Sequence, residues 1–146
     1  MSEIDFDTKG LETYITDKER ESVSGVWLDF PEGRQFLCLR AGGANKKFLR
    51  LFQTAIKPHR RQMERGTLDP DKSDALMRDV YAKTIVLDWR GIKDASGKPV
   101  PCSQANVIAF FTQFTELFND LVALCSDMAQ FTDEAIEEAK EVLGEV

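Results

Sequence analysis

The sequence predicts a mainly helical α+β fold, four to five helices with one N-terminal β-hairpin, on three observations. Residues 23–40 carry alternating side chains on either side of Pro31-Glu32-Gly33-Arg34, the pattern of two strands and a turn. Three later stretches repeat apolar residues every three or four positions, the period of a helix. Between them stand Gly66-Thr67-Leu68-Asp69-Pro70 and Asp94-Ala95-Ser96-Gly97-Lys98-Pro99, which are dense in turn formers.

At 146 residues the chain is one domain long, enough to bury roughly 70% of its unfolded surface. Residues 1–22 are polar, with only Ile4, Phe6, Leu11, Tyr14 and Ile15 to anchor them, and read as a flexible N-terminal arm. The arm either frays or docks on a neighbouring subunit. The domain proper is expected over 23–146, beginning with the hairpin at 23–40. A two-stranded hairpin is marginal in water, so its apolar face needs helices or another chain's strand.

Ala41-Gly42-Gly43 releases the chain into a helix that Asn45 is placed to cap. Phe48, Leu51, Phe52, Ala55, Ile56, His59 and Met63 share one side of it, and Lys46, Arg50, Lys57 and Arg61 the other. Pro58 lacks an amide hydrogen and clashes with the preceding turn, so a kink or break is expected near Lys57. Arg50, Lys57 and Arg61 are candidates for meeting an acidic partner; the alternative is an ordinary solvated helix face, since mixed charge on exposed helices is routine. His59, among apolar residues, reads as a half-buried side chain rather than a ligand.

Asp69-Pro70 opens the next helix with a cap and a first-turn proline. Its apolar residues, Leu76, Val80, Thr84, Leu87 and Tyr81, Ile85, Trp89, cover much of its girth. A helix running to Trp89 and packed between other elements is expected. Gly91 breaks it, and Ser103 caps the longest pattern in the chain. There Val107, Phe110, Phe111, Phe114, Leu117, Phe118, Leu121, Val122, Cys125 and Met128 form a stripe about 160° wide, against ~100° for an ordinary surface helix. Either this helix is central to a thick core, or one rim of the stripe, Phe111, Phe118 and Val122, faces a partner. Thr132, Asp133 and Glu134 mark a last, acidic helix.

No residues converge in a pattern that supports catalysis. A single histidine excludes a His-based metal cage, the serines lack a nucleophile elbow, and Gly42-Gly43 lacks phosphate-loop spacing. The acids near Asp94 lack the spacing of a calcium loop. No catalytic, cofactor or metal residue is therefore assigned, and the protein is expected not to be an enzyme. Cys38, Cys102 and Cys125 are odd in number and widely spaced, as reduced thiols would be. A net charge of −6 argues against nucleic acid as a partner. Neither a signal peptide nor an eighteen-residue apolar run is present, so a cytoplasmic protein with no membrane partner is expected.

The stretch Ile85-Val86-Leu87-Asp88-Trp89, then Gly91-Ile92, Asp94, Gly97-Lys98-Pro99-Val100-Pro101 and Ser103 with Asn106 before an aromatic helix, resembles the tail assembly chaperones of long-tailed bacteriophages and prophages. The resemblance runs from Val23 to Phe131, with recognisable letters over Leu87 to Asn106. It implies a non-catalytic protein of the bacterial host's cytoplasm that binds the tape measure protein and keeps it soluble. It further implies that this chain is the short form of a pair whose frameshifted longer form recruits tail tube protein. The basic helix interrupted by Pro58, and Cys102 in place of an aromatic residue, depart from that family. Self-association is left open, and the alternative role is a homo-oligomeric connector or completion protein of the tail or head that stays in the virion.

Overall fold

The computed structural model describes residues 4–132. The fold is mainly helical α+β, and the N-terminal hairpin is present as strands β1, Val26–Asp29, and β2, Gln35–Cys38. They pair antiparallel, Val26 opposite Cys38 and Leu28 opposite Phe36. Their connection Pro31–Gly33 bends through Glu32 and Gly33, both at positive φ.

A third strand, β3 at Val86–Arg90, pairs antiparallel with β2 and makes the hairpin part of a three-stranded sheet in the order β1-β2-β3. This corrects the expected helix running to Trp89. The helix ends at Thr84, whose hydroxyl donates to the Val80 carbonyl at 2.7 Å. Ile85 turns the chain out of the helix, and Val86–Arg90 is then taken by the open edge of β2, where ladder hydrogen bonds and Phe36 reward an extended chain.

Five α-helices are described: α1 (Lys46–Ile56), α2 (Arg60–Glu64), α3 (Pro70–Thr84), α4 (Gln104–Gln113) and α5 (Thr115–Ser126). Pro58 breaks the basic helix as expected, leaving a single 3-10 turn at Lys57–His59 between α1 and α2. Asn45 accepts from the Phe48 amide and caps α1. Its own amide group donates to the carbonyls of Arg40 and Thr84, so the cap also ties α1 to the end of α3. Asp69 and Ser103 cap α3 and α4 in the same way, accepting from the amides of Asp71 and Asn106.

The aromatic stripe is not one helix. The chain turns by 114° between α4 and α5 at Phe114, whose φ of −113° and ψ of 65° leave the helical region. A straight rod over Gln104 to Ser126 would be about 35 Å long and would carry half its apolar side chains past the core. Bent, it wraps that core, which explains why the stripe is so wide.

The inner face of the sheet (Val26, Leu28, Phe36, Cys38, Trp89) meets α4 and α5 through Phe111, Phe118 and Leu121, all buried. Phe36 is the hub, with ring centroids 5.3 to 6.2 Å from those of Phe30, Trp89, Phe110 and Phe111. Helix α3 packs against both α1 and α4.

The arm expected over 1–22 is attached well before its predicted end. Thr16 bridges to Thr132, and the Asp17 amide donates to the Phe131 carbonyl. The π-helical turn Arg20–Ser24 buries Glu21, whose carboxylate accepts from the Arg40 guanidinium and from the Ala44 amide. Gly43, at φ 54°, lies against this pair with no room for a side chain. The acidic helix expected from Thr132 onward lies outside the described residues.

Candidate partner-binding groove

The bend at Phe114 has a local cause. Thr112 turns its hydroxyl back onto the Ile108 carbonyl at 2.6 Å, and the Thr115 hydroxyl donates to the Thr112 carbonyl. Such bonds compete with the main-chain ladder and bend helices. Phe114 is left between the two threonines, 44% exposed, its ring centroid 4.8 Å from that of Phe110.

On one side of Phe114 the corner segment 88–103 builds a wall. The Trp89 indole donates to the Val100 carbonyl at 2.7 Å, and the Val100 amide donates to the Ile92 carbonyl. Asp94 holds the tip: its carboxylate accepts from the Ser96 hydroxyl and from the amides of Ser96 and Lys98. These bonds, the Ser96 hydroxyl foremost, hold the Asp94 carboxyl below its ordinary value although it is exposed. At the other end, Asn106 donates to the Pro101 carbonyl. Gly91, at φ 76°, lets this wall touch the hairpin turn, since a Cβ there would sit 2.8 Å from the Gly33 carbonyl oxygen.

Between wall and helices lies a cavity of about 470 Å³ lined by Trp89, Ile92, Val100, Ala109, Phe110 and Phe114, with Lys93, Asp94, Asn106 and Gln113 at its rim. On the other side of Phe114 a second hollow of about 250 Å³ is lined by Pro31, Arg34, Lys93, Phe110, Phe114 and Leu117. The two share Lys93, Phe110 and Phe114, and so make one apolar groove that divides around an exposed phenylalanine under two cations. A concave apolar floor with a half-exposed aromatic can receive an apolar side chain on each side of Phe114.

The residues singled out from the sequence fall elsewhere. Phe111 and Phe118 are core, not surface: Phe111 has no exposed area, and its ring centroid lies 4.9 Å from that of Phe118. The bend turns that rim of the stripe inward, so neither side chain can meet a partner directly. Val122 is half-buried against the same core. Arg50, Lys57 and Arg61 are exposed along α1 and α2 and do not line the groove. Phe114, Lys93 and Arg34 line the groove but were not among the residues singled out for a partner; the local signal for Phe114 was Thr112 and Thr115 on either side of it.

Among the described residues no cluster of His, Cys, Asp or Glu gathers as metal ligands would, and no single helix is long and apolar enough to cross a membrane. The thiols of Cys38 and Cys125 are buried; burial, with Cys125 beside it, pushes the Cys38 thiol well up. Cys102, half-buried near Asp88, is pushed up to about 11.

A protein-family profile described as YdaY prophage protein matches residues 43–142, well over half of the sequence. The chain belongs to the YdaY prophage protein family. It is thus a prophage protein. The YdaY match starts at Gly43 and spans all five described helices, β3 and the Trp89–Pro101 wall. It leaves out β1, β2 and the arm, so Pro31 and Arg34 are the groove residues outside it. No curated protein and no solved structure matches the chain.

Proposed function

We propose that this prophage protein is a non-catalytic tail assembly chaperone that binds the tape measure protein, keeps it soluble and helps bring tail tube protein to it through a longer frameshifted form. The groove around Phe114 carries the reading. A tape measure is a long amphipathic rod whose apolar stripes aggregate until tube subunits surround it, and an apolar groove accepts side chains spaced along one face of such a helix. The resemblance at Leu87 to Asn106 supports the same role, for those residues build the groove wall. The net charge of −6 favours solubility of the complex in the host cytoplasm.

The test is co-expression with the tape measure protein of the same prophage. The rod should be soluble and co-elute with the wild-type chain, and should precipitate with Phe114→Ser, whose substitution changes an exposed side chain and leaves the core intact. A rod equally insoluble with and without the chain overturns the proposal. The exposed apolar residues of the arm favour a second reading, a homo-oligomeric structural component, under which mass spectrometry of purified particles finds the protein at a small fixed copy number.

A further inference from the structure

We propose that the Phe114 groove is occupied, before any client arrives, by residues 4–15 of a second copy of this chain. The large apolar side chains left most in water are concentrated in that segment: Ile4 is 73% exposed, Phe6 74% and Tyr14 69%. Apolar exposure of this density marks a binding element rather than a random surface. Phe6 stands between Asp5 and Asp7, and the groove offers apolar hollows beneath Lys93 and Arg34. The acid on the same rim, Asp94, already has its carboxylate turned into its own loop. An aromatic anchor flanked by two acids therefore meets an apolar floor flanked by two cations.

The second copy follows from the exposure of the arm in a single chain, whose own groove it does not enter. The arm's fixed end is Thr16 and Asp17, held at Thr132 and Phe131 just beyond the C-terminal end of α5, and the groove lies about 18 Å away at the N-terminal end of that helix, within reach of the ten residues back to Phe6, which extend to roughly 33 Å. Exchange between two copies makes both contacts at once and closes as a twofold dimer. The inference rests on the groove being the peptide-binding surface of the proposed function, and adds that a client must displace the arm.

Sedimentation of the full chain without client tests it. The wild type should dimerise with rising concentration, and Phe6→Ser and Phe114→Ser should each weaken the dimer about tenfold or more, equivalent to about 1.4 kcal/mol. Reversing Asp5 and Asp7 to Lys should weaken it as well. Reversing Arg34 and Lys93 to Glu in a second chain should do the same, and mixing the two chains should restore a heterodimer. A chain that is monomeric at every concentration, or a dimer indifferent to these changes, overturns the proposal. Client capture separates the two ideas: Phe6→Ser should retain the tape measure and Phe114→Ser lose it. A Phe114-dependent client with no self-association sinks the arm and spares the chaperone.

Discussion

Glu21→Ala should cost the protein about 3–4 kcal/mol. Glu21 is 1% exposed, and its carboxylate serves both the Arg40 guanidinium and the Ala44 amide. Breaking a buried ion pair from one side costs ~3–5 kcal/mol, because the surviving charge is left in a poor solvent. The Arg40 side chain keeps 19% of its surface in water, which places this pair at the low end. Loss of the acceptor for Ala44 adds about 1 kcal/mol. Against a typical stability of ~5–15 kcal/mol this is a large fraction, and it should lower Tm by roughly 10 °C. Urea unfolding followed by tryptophan fluorescence measures it, since Trp89 is buried in the core. The double variant Glu21→Leu with Arg40→Met should recover most of the loss, as paired charges replaced together by apolar groups usually do. A Glu21→Ala midpoint indistinguishable from wild type would refute the reasoning, as would a double variant no better than the single.

Three more outcomes are expected. Phe111→Asp should unfold the chain by placing a carboxylate against Phe36 and Phe118, visible as loss of the near-ultraviolet dichroism that Phe114→Ser retains. In an NMR titration Asp94 should change charge below the ordinary carboxylate range, and Ser96→Ala should move it back up. Because its pKa is lowered on folding, its contribution to the corner is present above the ordinary carboxylate value and lost as pH falls through the depressed one. The thiols should react slowly with Ellman's reagent at neutral pH, Cys102 before buried Cys38, and all rapidly on unfolding. Since the pKa values of both Cys38 and Cys102 are raised on folding, their stabilising contribution is complete below the ordinary thiol value and declines as pH rises through the raised ones.

Features governed by neighbouring residues were legible in the sequence. Asn45, Asp69 and Ser103 cap the helices they precede, and Pro58 breaks the helix it interrupts, because each acts through its own hydrogen-bonding chemistry within a turn of chain. Tertiary choices were not. Val86 and Trp89 continue the helical period of α3, and only the free edge of β2, nearly fifty residues upstream of them, draws them into a strand. The turn at Phe114 contains neither proline nor glycine; two threonine hydroxyls and the reward of burying both halves of the stripe decide it. That same turn sent Phe111 and Phe118 inward and left Phe114 outside, so the candidate surface moved by one helix face. The attachment of Glu21 depends on a guanidinium nineteen positions away, which no local pattern discloses.

The bridge between Thr16 and Thr132 gives the chain a ring-like connectivity, in which the main-chain hydrogen bond from Asp17 to Phe131 serves as the clasp. A protein fastened in this way lends itself to circular permutation. In a chain trimmed to residues 16–132, a short linker joining residue 132 to residue 16 adds no span, and new termini at the exposed Gly66-Thr67 turn would cut the connection between α2 and α3. Such a permutant would place both ends in the turn after α2, which does not line the Phe114 groove, and affinity tags or a fluorescent reporter could be fused there.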